Sequence, residues 1–456
     1  MADLLTLILA AGKGTRMKSR LTKVLHPVAG KAMVKHVLDT MDNFDSEIIT
    51  IVGHQGEKVK NSLKNYDINF VEQKEQLGTA HAVSQANSQI SEHNGPVLIL
   101  YGDTPLLTED TINYLLSSHE KNEAALSVLT ARVDDPCGYG RIIRDEKERI
   151  ARIVEEDDAS ALEKKINEIN TGVYCFDSKY LQKSLEVIDN DNAQGEYYLT
   201  DAINFINEMN EIVVPVMIEN AEEIVGINDR KTLARAEKIL RERIIENHQE
   251  NGVTIIDPSS TFIDREVKIG RDTVIYPFTY IEGRTSIGQN TIVGPSSRIV
   301  ESEIGSNVEL KAKSHIWHSI IKDNCTIGPF AYIRPGCNIK DGAKIGDFVE
   351  LKKAEIGDGS KVPHLSYVGD ASVGENCNIG AGTIFANYDG EKKHQTTLGD
   401  RVFIGSNTTL VAPVNVGDGG KTGAGSVVVH NVDKDTVVLG VPARKHKKVN
   451  EKQSNN

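Results

Sequence analysis

The segment Leu9–Met17, with the sequence LAAGKGTRM, combines glycines and cations directly after the apolar run Leu4–Ile8. A glycine-rich turn that leaves a buried strand presents backbone N–H groups to a phosphate. The spacing differs from the dinucleotide-binding pattern G-x-G-x-x-G, because Met17 stands where the third glycine belongs, and it lacks the G-K-[ST] ending of a P-loop. The segment therefore predicts a nucleotide-phosphate site of another kind.

Three charged residues near predicted turns suit phosphate chemistry. Arg16 offers a planar fork of donors and Lys23 a point charge, so the two cations are not interchangeable. Asp103 follows the apolar run Val97–Leu100, where a carboxylate suits a Mg²⁺ ion that takes few protein oxygens and fills its other positions with water and phosphate. Solvated surface charge and turn formation are the alternative roles for these residues.

Two histidines in the second half of the chain are candidates for proton transfer. Histidine is the side chain best suited to accept a proton near neutral pH. His364 lies in the irregular segment VPHLS (362–366), and His394 lies in the polar insertion NYDGEKKHQT (387–396). A lone histidine is more often structural than catalytic, and Lys392 and Lys393 favour a solvated loop tip around His394.

The elements that must position the first group alternate between strand and helix up to about residue 227. The predicted strands are Leu4–Leu9, Ile48–Val52, Val97–Tyr101 and Ala125–Thr130, and the predicted helices include Met33–Met41 and Thr79–Ile90. This alternation predicts an α/β, Rossmann-like domain with a mostly parallel sheet covered on both faces. Ligands collect at the carboxyl ends of such strands, where both the glycine segment and Tyr101-Gly102-Asp103 fall.

The elements that must position the second group repeat every six residues. After a charged connecting helix over residues 229–250, aliphatic residues recur at hexapeptide spacing, with a break after residue 299. This period is typical of a parallel β-helix with one short strand per repeat and the aliphatic side chain inside. The series is Ile269, Ile275, Ile281, Ile287, Val293, Ile299, then Ile327, Ile333, Ile339, Ile345, Leu351, Val373, Ile379, Leu398, Ile404 and Leu410.

The bulk composition excludes several classes of protein. The 456 residues exceed one ordinary core, and 65 acidic against 52 basic residues disfavour a nucleic-acid partner, which needs phosphate neutralisation. Five cysteines without C-x-x-C pairs indicate reduced cytosolic thiols. The N-terminal sequence has no basic region before its apolar run, and no run approaches the roughly 20 apolar residues of a membrane span. We therefore expect a cytoplasmic protein with no membrane partner.

Motifs from both halves together resemble one bacterial family, the bifunctional N-acetylglucosamine-1-phosphate uridyltransferases/glucosamine-1-phosphate acetyltransferases, along nearly the whole chain. The nucleotidyltransferase motifs are LAAGKGTRM (9–17), KVLHPVAGKAM (23–33), QLGTAHA (76–82), YGDTPLL (101–107), GYGRI (138–142), INTGVY (169–174) and GIND (226–229). The motifs of the left-handed β-helix half are YIRPG (332–336), ELKKA (350–354), HLSYVGDA (364–371) and NIGAGTIFANYDG (378–390). The glycine segment alone indicates only a sugar nucleotidyltransferase.

The resemblance implies a first site for UTP, UDP-N-acetylglucosamine and Mg²⁺. Arg16 and Lys23 are then the catalytic cations, and Asp103 and Asn228 hold the Mg²⁺ ion. Gly12 and Gly14 admit the nucleotide close to the backbone. The family's remaining nucleotide and sugar contacts fall on Leu9, Ala10, Ala11, Gly12, Gln73, Gly78, Thr79, Tyr101, Gly102, Gly140, Glu155, Asn170 and Asn228.

The resemblance implies a second site in which the amine of glucosamine 1-phosphate attacks acetyl-CoA, with His364 as general base. A Ser406 backbone N–H is then placed to polarise the thioester carbonyl. The family's sugar-phosphate contacts fall on Arg334, Lys352, Tyr367 and Asn378, and its acetyl-CoA contacts on Ala381, Asn387, Tyr388, Ser406 and Ala424. One basic contact expected before the VPA segment is missing, because Leu439-Gly440 stand there, and Arg444 or the following KHKK is the substitute.

Further implications concern organisation and assembly. We expect a uridyltransferase domain over 1–228, a linker helix over 229–250 and a β-helix acetyltransferase domain over 251–456, with a flexible tail from Arg444. The resemblance implies a homotrimer with sites between subunits, and acetylation before uridylylation. The product, UDP-N-acetylglucosamine, is then a precursor of peptidoglycan and other cell-envelope polymers.

Two alternatives remain from the sequence. One is a single-activity sugar nucleotidyltransferase, such as an ADP-glucose type, whose β-helix serves regulation or assembly. The other treats the second half as a structural or binding solenoid only. The segments HLSYVGDA and NIGAGT argue against the first, since an assembly tail does not require them.

Overall fold

The computed structural model describes residues 3–449 and separates the chain into two compact units that meet between Leu240 and Arg241. That boundary lies inside a long helix, Arg230–Glu250, which corresponds to the predicted connecting helix. The described residues contain no helix that is both long and apolar enough to cross a bilayer.

The first unit contains a nine-stranded, mostly parallel sheet with helices on both faces. The strands of the whole unit are β1 Leu4–Ala10, β2 Pro27–Val28, β3 Lys31–Ala32, β4 Ser46–Val52, β5 Asn69–Glu72, β6 Pro96–Tyr101, β7 Leu126–Arg132, β8 Arg141–Arg144, β9 Ile150–Val154, β10 Glu168–Asp177 and β11 Val213–Ile218. The main order is β11-β7-β10-β6-β1-β4-β5, with the β8–β9 hairpin attached to β10 and β2–β3 forming a separate ribbon. Only β10 runs antiparallel to both of its neighbours along that order.

The helices of the chain are α1 Met33–Thr40, α2 Gly56–Leu63, α3 Thr79–Ser84, α4 Asn87–Glu92, α5 Glu109–Lys121, α6 Ser178–Val187, α7 Ala202–Glu208 and α8 Arg230–Glu250. Short 3-10 helices span Thr15–Met17, Lys23–Leu25, Glu163–Lys165, Leu199–Asp201, Ala221–Ile224 and Pro258–Ser260. The single helix predicted over Thr79–Ile90 is therefore wrong, because the helix breaks between Ser84 and Asn87. The break still lets Val83, Ala86 and Ile90 pack into one core.

Strand β1 explains why both faces of the sheet are covered. All seven residues of β1 are buried. Leu5, Leu7 and Leu9 belong to one core cluster, whereas Leu4 and Ile8 belong to the other. Successive strand residues point to opposite faces, so a run without polar alternation requires apolar layers above and below. The predicted α/β class is confirmed.

The second unit is a left-handed parallel β-helix, as the hexapeptide period predicts. One sheet contains Thr254–Ile255, Val274–Ile275, Ile292–Val293, Glu309–Leu310, Thr326–Ile327, Lys344–Asp347, Lys361–His364, Asn378–Ile379, Phe403–Ile404, Lys421–Thr422, Thr436–Gly440 and Ala443–Lys448. The other strands are Phe262–Ile263, Lys268–Ile269, Tyr280–Glu282, Ser286–Ile287, Arg298–Val300, Glu303–Ile304, His315–Trp317, Ile320–Ile321, Tyr332–Ile333, Asn338–Ile339, Glu350–Ile356, Tyr367–Val373, Ile384–Ala386, Thr396–Leu398, Thr409–Val411, Val414–Val416 and Val427–Val428.

Each coil of this unit stacks its aliphatic residues on those of the next. Ile275 pairs with Val293, eighteen residues later, so three hexapeptides complete one coil. Every residue of the predicted aliphatic series is buried except Ile269, which is partly exposed in the first coils. The solenoid interior is thus one continuous apolar column.

The predicted break after Ile299 is wrong. Buried Ile304, Leu310, Ile316 and Ile321 continue the column without interruption. The steps from Ile299 to Ile304 and from Ile316 to Ile321 contain five residues instead of six. A shortened turn keeps the side chain inside but shifts the phase, which a strict six-residue search does not detect.

Two segments depart from the regular coils. The predicted insertion leaves the solenoid between Ala386 and Thr396 and closes on itself through a bridge between Tyr388 and Lys393. At the carboxyl end, Ala443–Lys448 is a strand antiparallel to Thr436–Gly440, where we expected flexibility. Strand pairing supplies backbone hydrogen bonds that a solvated tail lacks. The remainder of the expected tail, residues 450–456, lies outside the described residues.

Candidate active sites

A cleft opens in the first unit at the carboxyl ends of β1 and β6. Leu9 pairs with Tyr101, and Gly102 N–H donates to the Leu9 carbonyl at 3.0 Å, so the two loops leave the sheet side by side. Two adjoining cavities of about 560 Å³ and 420 Å³ fill the cleft. Both are lined by Arg16, Lys23 and Asp103, among other residues.

A lysine held by two oxygen ligands stands at the junction of these cavities. The Lys23 ammonium forms an ion pair with Asp103 and donates to Asn228 Oδ1 at 3.1 Å. The two side chains of the ion pair are only 16% and 12% exposed, so water screens it little. Asn228 is fixed from behind, because the backbone N–H groups of Asn228 and Asp229 donate to Thr232 Oγ1 at 3.1 Å.

The glycine segment contributes differently at its two glycines. Gly14 has a φ of +61°, and a Cβ there would lie 2.6 Å from Lys23 Cβ, so this glycine allows the close packing that places Lys23. A Cβ on Gly12 would meet no atom within 4 Å, since this residue faces the smaller cavity. Leu9, Ala10 and Ala11 line the same cavity.

The outer wall of the smaller cavity carries the predicted nucleotide contacts Gln73, Gly78 and Thr79. Gly78 has a φ of +114°, and a Cβ there would lie 2.5 Å from the Tyr197 carbonyl oxygen. Thr79 Oγ1 accepts the backbone N–H of Leu199 at 3.0 Å. Close packing at Gly78 and the hydrogen bond at Thr79 therefore attach this wall to the segment around Tyr197.

The larger cavity carries the predicted sugar contacts Gly140, Glu155 and Asn170. Asn170 N–H donates to the Gly140 carbonyl at 2.8 Å, and Asn170 Nδ2 donates to the Tyr174 hydroxyl at 2.7 Å. Burial raises the pKa of the Glu155 carboxyl, which accepts from the Thr200 hydroxyl at 3.4 Å. This wall offers amide and carboxyl groups to a polyhydroxylated ligand.

Replacing Glu155 with glutamine is expected to raise the melting temperature near neutral pH. The raised pKa means that folding favours the protonated carboxyl, so its contribution is present below the unfolded pKa of about 4.3 and is lost as the pH rises through the folded pKa. The gain should be seen at about pH 7 and should vanish at about pH 4. Calorimetry at both pH values tests this, with exposed Glu186→Gln as the control. An equal gain at both values would contradict it.

Some residues that line the larger cavity were not predicted from the sequence. Tyr139 lies inside the quoted motif GYGRI, but nothing in its spacing indicated a role. Glu196, Tyr198 and Thr200 come from a polar loop that carries no recognisable pattern. In the other direction, predicted Gly102 does not line either described cavity, and its N–H supports the Leu9 loop instead.

In the second unit, five residues occupy the same position in successive coils. These residues are Asp347, His364, Ala381, Ser406 and Ala424, which we call the corner row. Asp347 pairs with His364 across adjacent strands. The carbonyls of His364, Ala381 and Ser406 accept backbone N–H groups of the next coil at 3.3, 2.7 and 2.8 Å. The corner row therefore aligns the predicted general base with the predicted acetyl-CoA contacts.

His364 forms a hydrogen bond through Nδ1 to the carboxylate of Asp347. This hydrogen bond holds the pKa of Asp347 below its usual value. A carboxylate accepts, so Nδ1 carries the proton and Nε2 keeps its lone pair. Asp347 was not predicted, because the pairing appears only once the coils are stacked. The pair gives His364 the tautomer that a general base needs.

A group of polar side chains lies on the adjoining face. Asp370 Oδ2 accepts from Lys352 Nζ at 3.2 Å and from Asn387 Nδ2 at 2.5 Å. Tyr367 OH accepts from Asn387 Nδ2 at 3.4 Å. Lys393, from the insertion, stands near Lys352, whose charge lowers the pKa of the Lys393 ammonium. The ammonium groups of Lys352 and Lys393 therefore lie close together, and the Asp370 carboxylate orients Lys352.

The other predicted contacts are distributed around this group. Arg334 donates to Glu350 Oε1 at 2.8 Å, and Asn378 pairs with Lys361 in the strand that ends at His364. Arg444 pairs with Leu439 in the terminal strand. Tyr388 donates to the Gly390 carbonyl within the insertion.

The competing base, His394, is engaged within its own loop. His394 Nε2 lies 2.6 Å from Asp389 Oδ2, and backbone N–H groups that include Lys392 hold the pKa of Asp389 low. The hydrogen bonds of His394 close the insertion on itself, whereas His364 stands in the corner row. The geometry therefore favours His364 over His394 as the general base.

Comparison with known families matches both units. Residues 6–168 match the family described as MobA-like NTP transferase domain. Residues 266–300 and 318–353 match the bacterial transferase hexapeptide (six repeats), and residues 395–429 match the hexapeptide repeat of succinyl-transferase.

Curated relatives match nearly the entire chain. A protein of Brevibacillus brevis named "Bifunctional protein GlmU" is 49% identical, with 96% of this chain and 95% of the relative covered. Proteins of the same name from Staphylococcus haemolyticus and Listeria monocytogenes are 51% and 47% identical. The first covers 95% of this chain and 96% of the relative, and the second 98% and 97%.

Proposed function

The chain belongs to the bifunctional GlmU family, and from this premise we propose which residues perform each of its two reactions. The enzyme acetylates glucosamine 1-phosphate with acetyl-CoA and then transfers UMP from UTP to N-acetylglucosamine 1-phosphate, releasing pyrophosphate. We assign uridylyl transfer to the cleft of the first unit and acetyl transfer to the corner row of the second. The Lys23–Asp103–Asn228 cluster carries the first assignment.

In uridylyl transfer, a phosphate oxygen of the sugar attacks the α-phosphorus, and the bond to the β-phosphate oxygen breaks. Negative oxygens must approach each other, so positioning and charge neutralisation provide most of the catalysis. Lys23, which lines both cavities of the cleft, neutralises charge at the α-phosphate. Arg16 binds the departing pyrophosphate. Gln73, Gly78 and Thr79 hold the base, and the Gly140–Glu155–Asn170 wall holds the sugar.

Asp103 and Asn228 suit a Mg²⁺ ion. Their oxygens converge on one cation, the Lys23 ammonium, which marks this position as one where positive charge is stabilised. Mg²⁺ prefers oxygen donors and uses one or two protein ligands beside substrate phosphates. When bound, it neutralises charge on the phosphate oxygens.

In acetyl transfer, the amine nitrogen attacks the thioester carbonyl, the C–S bond breaks, and CoA leaves as the thiol. His364 Nε2 accepts the amine proton, and Asp347 holds the ring through Nδ1. The Ser406 backbone N–H polarises the carbonyl, and Arg334 with Lys352 neutralises the sugar phosphate. Tyr367 and Asn378 complete the sugar site, while Ala381, Asn387, Tyr388, Ala424 and Arg444 border acetyl-CoA.

A homotrimer is supported by an apolar column beside the corner row. Phe330, Phe348 and Leu365 come from three successive coils and are between 43% and 60% exposed, and the last two directly follow Asp347 and His364. The rings of Phe330 and Phe348 stack at 5.0 Å. Large exposed apolar patches mark interaction sites, and Leu365 directly follows His364, so a neighbouring copy would border the acetyl-transfer site. Light scattering should give three times the chain mass of 50.0 kDa; a monomer would contradict this.

Cellular context follows from the chemistry. Buried thiols at Cys325, Cys337 and Cys377 suit a reducing cytoplasm. The product supplies peptidoglycan and other cell-envelope polymers.

A panel of substrates tests the proposal against a single-activity sugar nucleotidyltransferase. The purified protein with Mg²⁺, UTP and N-acetylglucosamine 1-phosphate should release pyrophosphate, and with acetyl-CoA and glucosamine 1-phosphate it should release CoA thiol. ATP or glucose 1-phosphate should react far more slowly. Equal rates with these substrates, or no CoA release, would favour the alternative.

A further inference from the structure

The nucleotide wall of the first unit contains a histidine that no part of the proposed mechanism uses. His81 lies on α3, three residues after Gly78, and its Nδ1 is 3.1 Å from Gln73 Nε2. Gln73 is 3% exposed and lines the smaller cavity. We propose that His81 is a positioning residue that fixes the amide of Gln73 and thereby makes the enzyme select uracil over cytosine. This inference rests on the proposed role of Gln73 as a base contact.

The orientation of the Gln73 amide follows from its neighbours. Gln73 Nε2 lies 3.2 Å from the Gly78 carbonyl oxygen, which can only accept, so the group facing it must be the NH₂. The second hydrogen of that NH₂ goes to His81 Nδ1. Both donors are then used, and no residue between 3 and 449 donates to Gln73 Oε1. The side chain offers a base its oxygen alone.

The hydrogen bonds around His81 decide which ring nitrogen accepts. A neutral imidazole has one acceptor nitrogen. Gln85 Nε2 lies 3.3 Å from His81 Nε2, but its two hydrogens have other acceptors, the His81 carbonyl at 2.9 Å and Ser84 Oγ at 3.3 Å. Gln73 is the closer partner of the ring, so Nδ1 accepts and Nε2 carries the proton. A cavity of about 120 Å³ beside His81 has room for a water molecule to take that proton's hydrogen bond.

The backbone around His81 is held firmly. Ala80 N–H donates to the Tyr197 carbonyl at 2.9 Å, and Tyr197 N–H donates to the Leu77 carbonyl at 2.8 Å. The rings of His81 and Tyr197 are 6.4 Å apart. Gly78 also packs directly against the Tyr197 backbone, so both acceptors that face Gln73 lie on a hydrogen-bonded and closely packed segment.

A fixed oxygen discriminates between the two pyrimidines. Uracil presents an N3–H donor, whereas cytosine presents an N3 lone pair at the same position. The Gln73 oxygen pairs with the first and repels the second, unless the amide turns over. Turning would place the amide oxygen against the Gly78 carbonyl and His81 Nδ1, and two acceptor–acceptor contacts oppose it. Discrimination of this kind uses repulsion as well as attraction.

Two substitutions at position 81 distinguish the role of the Nδ1 acceptor from the packing role of the ring. His81→Phe keeps a ring against Tyr197 but removes the acceptor, whereas His81→Asn supplies an amide oxygen close to the position of Nδ1. We measure kcat/KM for UTP and CTP by pyrophosphate release with N-acetylglucosamine 1-phosphate. We expect the UTP/CTP ratio to fall on the order of tenfold in His81→Phe and to stay near the wild-type ratio in His81→Asn. A structural role alone would lower both activities without changing their ratio.

The outcomes distinguish this inference from the proposed function. A wild-type protein that does not use UTP contradicts the proposed function, and an unchanged ratio in Gln73→Ala contradicts the base contact of Gln73. If Gln73→Ala loses selectivity while His81→Phe keeps it, the role of His81 is overturned. The melting temperature reports whether each variant is folded, and His81→Leu replaces His81→Phe if the latter does not fold.

Discussion

Replacing His364 with alanine is expected to abolish acetyl transfer to glucosamine 1-phosphate while uridylyl transfer continues at the wild-type rate. The imidazole Nε2 keeps its lone pair for the amine proton, whereas the Asp347 carboxylate is engaged by Nδ1, and a positioned general base contributes roughly 10²- to 10⁴-fold. The side chain is more than half exposed, so its removal leaves no buried cavity. Thiol release from acetyl-CoA and pyrophosphate release from UTP measure the two activities separately.

Two further variants control this experiment. His394→Ala removes the competing histidine, whose bonds close the insertion, and should retain most acetyl transfer. Asp347→Asn keeps the size of the side chain but no longer requires a proton on Nδ1, so acetyl transfer should fall and its pH profile should shift. Full activity in His364→Ala, or a larger loss in His394→Ala, would place the base in the insertion instead.

Replacing Lys23 with alanine is expected to remove nearly all uridylyl transfer. The ammonium lies in the cleft that we assign to the triphosphate, and preorganised charges of this kind contribute about 10²- to 10³-fold each. The substitution also leaves the Asp103 carboxylate, which is largely buried, without its partner. The loss should appear mainly in kcat, because the charge acts on the developing transition state.

Acetyl transfer supplies the internal control for Lys23→Ala. It belongs to the other unit and should keep its wild-type rate. Lys64→Ala, on the exposed end of α2, is the matched control and should change neither reaction. A Lys23→Ala protein that forms pyrophosphate at the wild-type rate would remove Lys23 from the mechanism. Parallel loss of both activities would indicate misfolding.

Local patterns predicted the parts of each site that lie close together in sequence. The segment LAAGKGTRM indicated phosphate chemistry, and the aliphatic series indicated stacked coils, because both are periodic or contiguous. The four strands of the first unit that the sequence indicated were predicted to within two residues at their ends, whereas its other strands were not predicted. The helix over Thr79–Ile90 was wrong because apolar spacing does not reveal a break at which every apolar residue remains buried.

Contacts across coils were beyond the reach of such patterns. Asp347 precedes His364 by seventeen residues and looks like any polar residue of a hexapeptide turn. Likewise, Lys23 meets Asn228 only after the sheet has formed, and the resemblance, not the spacing, paired Asn228 with Asp103. The roles of all these residues stay predictions until the variants are measured.

The five-residue steps from Ile299 to Ile304 and from Ile316 to Ile321 have a consequence for how the chain winds. The step from Ile299 to Ile304 stacks on the six-residue step from Ile281 to Ile287 in the preceding coil and on the five-residue step of the following coil. The interior column therefore keeps its register at both step lengths, because the turn outside the column absorbs the missing residue. A coil can thus lose one residue at such a turn without changing which side chains stack inside the solenoid.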